Sequence, residues 1–165
     1  MSHELSPTSQ LDHLELHLRG KVVILGIGNT LRSDDGVGAL LAARIKDKVP
    51  FVVFDAGATP ENYLEKIIRE KPDNLILVDA VDFGGEPGEF RILDPGDLKT
   101  VNLFTTHNAS LTLAINYLQN GLQADIIILI IQPKRLNFGD KLSPEVAATL
   151  TLLGNWCYEK GKAKR

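Results

Sequence analysis

The chain has 165 residues, 44% of them hydrophobic, a formal net charge of −3 and one cysteine, Cys157. That is enough for a single domain with a real core; it lacks the basic footprint of a nucleic-acid binder and the cysteines for an internal disulfide or a multi-cysteine zinc site. The longest apolar run, Ile126 to Ile131, is far too short to span a membrane, and no signal-peptide pattern opens the chain, so the expected location is the cytoplasm.

Residues 1–20 are polar and carry three of the four histidines, His3, His13 and His17. They read as a solvated N-terminal extension, although His13 and His17 are spaced i, i+4 and fit one helical face. A single domain is expected over 21–160, with a basic tail at 161–165. A strand is predicted at Lys21 to Gly28, then a glycine turn, then a helix from Gly36 to Lys48 with Val37, Leu40, Leu41 and Ile45 as its apolar stripe. Pro50 closes that connection. Phe51 to Asp55 is the second strand. Thr59 is placed to cap a helix with Pro60 in its first position, and Leu64, Ile67 and Ile68 supply the stripe. Leu75 to Val78 is a third strand, ending in Asp79-Ala80-Val81-Asp82. Glycine and proline pairs mark a turn at 84–88, and Glu89 to Leu93 alternates polar and apolar as an edge strand does. Asp94 to Thr106 is a loop or short helix. His107 precedes a helix marked by Leu111, Ile115, Leu118 and Leu122. Asp125 to Gln132 is the last central strand, and Ser143-Pro144-Glu145 opens a closing helix with Ser143 as its cap. Cys157 shares the apolar face of that helix with Val146, Leu150 and Leu153, so it reads as core rather than nucleophile, with Trp156 at the edge of that face.

This alternation predicts a three-layer α/β/α sandwich: a mainly parallel, twisted central sheet, helices on both faces, and an added edge strand. Ligands of such sheets sit at the carboxyl ends of the strands. The first of those ends carries Gly26-Ile27-Gly28-Asn29-Thr30-Leu31-Arg32-Ser33-Asp34-Asp35-Gly36-Val37-Gly38. The stretch is not a dinucleotide fingerprint, because Leu31 occupies the third glycine position, and it lacks the Gly-Lys-Ser/Thr of a phosphate loop. Two adjacent aspartates repel a phosphate and suit a cation. The other strand ends bring Asp55, Asp79 with Asp82, and Gln132 to the same rim, with His107 opening the helix before the last strand. Crowded carboxylates raise one another's pKa unless a cation joins them, and oxygen ligands with one imidazole suit a borderline divalent metal such as nickel or zinc.

The Gly26–Gly38 stretch resembles the signature of the nickel–iron hydrogenase maturation endopeptidases. Asp55-Ala-Gly57, Val78-Asp79-Ala80, Pro87-Gly88, Thr106-His107-Asn108 and Ile131-Gln132-Pro133 match further blocks of that family in order. The Thr-Thr-His-Asn and Ile-Gln-Pro blocks look most like the branch serving the formate hydrogenlyase-type hydrogenase. The resemblance covers about residues 21–157. It implies an endopeptidase that removes the C-terminal extension of the hydrogenase large-subunit precursor after nickel insertion, with nickel supplied by the precursor and no organic cofactor. It maps the metal-contacting, catalytic residues onto Asp35, Asp79 and His107. Asp34, Asp55, Asn29 and Gln132 are then expected to support those ligands by hydrogen bonds, Asp34 and Asp55 being also candidates for the general base. Two other readings use the same residues: a metallohydrolase with its own zinc or nickel, and a non-catalytic chaperone that binds the nickel-loaded precursor.

Overall fold

The computed structural model describes residues 5–99 and 108–163. Five strands, β1 (Val22–Ile27), β2 (Val52–Gly57), β3 (Asn74–Ala80), β4 (Phe90–Leu93) and β5 (Asp125–Ile131), form one sheet in the order β2-β1-β3-β5-β4. The first four in that order run parallel, and β4 closes the edge antiparallel to β5. The expected mainly parallel sheet with an added edge strand is what the chain forms.

Strand residues alternate between two cores. Val22 and Ile24 of β1 and Leu129 and Ile131 of β5 face helices α2 (Val37–Ile45) and α5 (Pro144–Ala163). Val23, Leu25 and Ile27 of β1, with Ile126, Ile128 and Ile130 of β5, face α3 (Leu64–Glu70) and α4 (Asn108–Gly121). The central strands therefore bury both faces, which is why they read as continuous apolar runs. Cys157 and Trp156 lie in the first core, as expected, and burial pushes the Cys157 thiol up to about 12.

Several local expectations are corrected. The N-terminal segment is not simply a solvated extension: Pro7–His17 is helix α1, capped by the Ser6 hydroxyl, which accepts from the Ser9 amide. Its Leu11 and Leu14 are buried in the α2–α5 core, because three residues of spacing put both on one side of a helix. His13 and His17 do share one helical face, their rings tilted against each other with centroids 4.6 Å apart, but on its exposed side. The helix predicted over Gly36 to Lys48 ends at Ile45, and Asp47 follows in a left-handed conformation (φ 62°). Thr59 does not cap a helix with its side chain; a 3-10 turn at Pro60–Tyr63 intervenes before α3, and the Thr59 hydroxyl donates to Ala56 O. Helix α5 runs on to Ala163, into the residues read as a tail, and Lys160 near its end pairs with Glu15 of α1 at 2.5 Å. Of Asp94 to Thr106, read as a loop or short helix, the described part agrees, with a 3-10 helix at Pro95–Lys99; residues 100–106 lie outside the described residues.

Candidate active site at the sheet rim

The parallel register sets the rim. Asp55 of β2 pairs with Gly26 of β1, Gly26 with Val78 of β3, and Val78 with Leu129 of β5. Asp79 is thus one step beyond the level of Asp55. Beyond β1 the chain folds into a 3-10 turn, Ser33–Gly36, that delivers Asp34 and Asp35 back over the strand ends.

The glycines make that return path. A Cβ on Gly28 would lie 2.0 Å from the Asp35 carbonyl oxygen, so only glycine lets the two limbs of the loop touch. A Cβ on Gly38 would lie 2.3 Å from both Ile27 O and Val78 O. The start of α2 can therefore sit directly on β1 and β3.

Asp34 and Asp35 point to different partners. Asp35 is half-buried, and its Oδ2 accepts from the Asn29 amide at 3.0 Å. Asn29 in turn accepts from the Leu31 amide at 2.9 Å, which fixes the loop between them. Asp34 is fully buried and faces the loop after β5. Its Oδ1 accepts from Ser143 N at 2.7 Å; its Oδ2 accepts from Lys134 N at 2.9 Å, Arg135 N at 3.1 Å and Ser143 Oγ at 2.8 Å. Four donors occupy this carboxylate, so it is a clasp between loops and is poorly suited to take a proton as a general base. Ser143, read in the sequence as a helix cap, is part of that clasp. A Ser-Pro-Glu at a helix start looks the same in either role, so the sequence carries no signal for the second.

Asp55 is half-buried, and its Oδ1 accepts from the Gly57 amide at 3.1 Å, tying down the end of β2. Gln132 does for the loop after β3 what Asp34 does for the loop after β5. Its Oε1 accepts from Phe83 N at 2.9 Å and Gly85 N at 3.1 Å, and its Nε2 donates to Asp82 Oδ1 at 3.0 Å.

Asp79 keeps some surface open, yet its carboxyl is closely surrounded by protein. Burial, and next the neighbouring Asp35 charge, push it well above the usual carboxylate range, against a hydrogen bond with the Ala80 backbone that opposes the rise. The crowding foreseen from the sequence is therefore present between Asp35, in the 3-10 turn after β1, and Asp79, near the end of β3. A pair of carboxylates that share charge in this way is a place for a proton or a cation. Among the described residues, no group of three or more His, Cys, Asp or Glu side chains converges to hold a metal ion. His107 lies outside the described residues; α4 begins at the next residue, Asn108, as the sequence predicts. A cavity of about 1530 Å³ lies elsewhere, along β4 and α1, and includes neither Asp35 nor Asp79.

A family model described as hydrogenase maturation protease (HycI) matches residues 36–156. The chain is 41% identical over 118 residues to the Hydrogenase 3 maturation protease of Escherichia coli, a match covering 70% of this chain and 75% of that protein. The crystal structure of a NiFe hydrogenase maturation protease HycI from Thermococcus kodakarensis aligns with a TM-score of 0.76 at 36% identity, over 86% of this chain and 92% of that one. The solution structure of the endopeptidase HycI from Escherichia coli aligns with a TM-score of 0.71 at 31% identity, over 85% and 90%. The chain is thus a hydrolase of the α/β kind, an endopeptidase. It belongs to the hydrogenase maturation protease family, in its HycI type. The resemblance drawn from the motif blocks and the fold it implied both hold.

Proposed function

We propose that this protein removes the C-terminal extension of the large-subunit precursor of a nickel–iron hydrogenase in the cytoplasm, after nickel insertion, and that it recognises the nickel carried by the precursor. The observation that carries the reading is the placement of Asp35, in the 3-10 turn after β1, and Asp79, at the end of β3, together on the rim of a hydrogenase maturation protease. Asp35 and Asp79 leave most positions of a metal open to ligands from the precursor. They suit completion of the coordination of an ion that another protein already holds. His107, one residue before α4, is the third ligand in this reading. A nickel held by both proteins fixes the scissile bond against the rim, and positioning of this kind is worth up to roughly 7–11 kcal/mol of barrier in favourable cases. Hydrolysis adds a water across the peptide bond, one proton leaving the attacking oxygen and one reaching the departing amine.

The test incubates precursor with the protein, with and without nickel, and identifies the released peptide by mass spectrometry. Cleavage at one site near the precursor's C-terminus, only after nickel loading, is the expected result. Asp35→Asn, Asp79→Asn and His107→Ala should each lower processing by at least about 100-fold while melting as folded proteins, since amide for carboxylate preserves size. Normal processing by all three variants rules out the site. Tightly held zinc in the dialysed protein, with cleavage independent of precursor nickel, favours the metallohydrolase; binding without cleavage favours the chaperone.

A further inference from the structure

We propose that Leu31 and Phe138 form an apolar docking edge beside the Asp35–Asp79 rim and that the large-subunit precursor seats on it. The inference rests on the reading that the precursor is cut at this rim, and adds where the protease grips it.

Leu31 and Phe138 come from two different loops, those following β1 and β5, yet they stand side by side. Arg32 and Gly139 form an isolated parallel bridge, and each of the two apolar residues is one position before it. The Gly139 amide donates to Leu31 O at 2.9 Å, and the Ser33 amide donates to Gly139 O at 2.7 Å. The Ser33 hydroxyl donates to Asn137 O at 2.8 Å, and Arg32 Nε donates to Leu136 O at 3.2 Å. The Asp34 clasp lies directly behind. These bonds hold the loops in one conformation that turns Phe138, 82% exposed, and Leu31, 57% exposed, toward solvent. Ser33 itself sits at φ 51°, a conformation disfavoured for a non-glycine residue.

Other large apolar side chains are exposed among the described residues, but they lie on helices or, for Leu5, ahead of α1. Leu31 and Phe138 alone among them stand on strand-end loops. Leu31 is also on the same short loop as Asp35, joined to it through Asn29. A protein that brings a peptide bond to Asp35 must cover this loop. Apolar side chains on a loop backbone already fixed where a partner must land need little backbone ordering on binding and act as anchors. The occupant is therefore the precursor, presenting an apolar pocket or segment next to its cleavage site.

The experiment measures steady-state processing of nickel-loaded precursor by the wild type and by the double variant Leu31→Ser/Phe138→Ser. Failure of the wild type to cleave precursor would sink the functional reading and is seen before any variant is compared. With an active wild type, the half-saturating precursor concentration of the double variant should rise roughly tenfold or more, while kcat stays within about twofold. The Asp79→Asn protein turns over slowly enough for capture of precursor to be measured, and adding the two serine substitutions to it should weaken its remaining capture by the same factor. Melting temperatures should be unchanged, because both side chains are already exposed. If the double variant melts early, Phe138→Ser alone is compared with Phe138→Leu, which keeps most of the apolar area and should keep most of the affinity. An unchanged half-saturating concentration, or a loss confined to kcat, overturns the proposal.

Discussion

Asp34 and Asp35 are neighbours in the chain, but four donors occupy one carboxylate and a single amide holds the other. Asp34 is thereby held against the loop after β5, whereas Asp35 is the neighbour whose charge acts on Asp79. Asp79 bears the cost, and its pKa rises through burial first and Asp35 second. In the metal-free protein the folded chain then holds a proton on Asp79 over a range in which the unfolded chain, near the ordinary value of about 3.9, has already lost it. Folding stability from this group is full below the unfolded pKa and is lost as pH rises through the raised folded one. Asp79→Asn removes the titration. The stability of the variant relative to wild type should therefore climb as pH rises from about 4 and level off once the native Asp79 has ionised. Urea unfolding midpoints of both proteins across that range, without metal, are the measurement. A difference that stays flat means that Asp79 does not carry the strain at this rim.

At the scale of elements, the parts that the sequence showed most plainly are those governed by burial alone. Ile126 to Ile131 has apolar residues on both sides because β5 is covered on both faces, and period, length and flanking residues announce that. Helix α1 is the opposite case. Leu11 and Leu14 are its only buried residues, while Leu16 on the same helix is 83% exposed. Two leucines three apart in a polar stretch do not distinguish a docked helix from a solvated one; the difference lies in the surface they meet, which is assembled from α2, α5 and β4. The backbone after α1 is also fixed by a distant residue, for Arg19 N donates to Asn74 Oδ1 at 2.8 Å. Docking of α1 can be tested by cavity formation. Leu14→Ala should destabilise the protein by about 2–4 kcal/mol, since a buried leucine loses its transfer energy and leaves a gap, and Leu16→Ala should change stability by less than about 0.5 kcal/mol. Similar small effects from both, measured by urea unfolding, would show that the N-terminal helix does not contribute to the core.

At the scale of the molecule, the rim is assembled by side chains that reach across the chain. Acidic residues at the strand ends were readable, because the alternation of elements predicts one rim; which of them face the site and which hold loops was not, because a carboxylate's partners here are backbone amides contributed by remote segments. Asp34 connects the first loop to Ser143, 109 positions later, and Gln132 connects the last strand to the loop after β3. These contacts make the substitution of Asp34 informative. Asp34→Ala leaves the buried Ser143 amide and hydroxyl, and the partly buried Lys134 and Arg135 amides, without their acceptor, and an unmet buried donor costs about 1–3 kcal/mol. Partial relaxation makes a total loss of about 2–4 kcal/mol the expected outcome. Asp34→Asn should be nearly as harmful. Backbone amides approach both carboxylate oxygens, Ser143 N on Oδ1 and Lys134 N and Arg135 N on Oδ2, so either orientation of the new amide sets an N–H against an N–H. At Asp35 and Asp79 the same isosteric change should cost little stability and much processing. The decisive comparison is urea unfolding and precursor cleavage measured on Asp34→Asn and Asp35→Asn in parallel. Unfolding midpoints lowered only in the first, with processing lost in the second while it remains folded, would separate the clasp from the site. An Asp34→Asn protein as stable as wild type would mean that the loops after β1 and β5 hold together without this carboxylate.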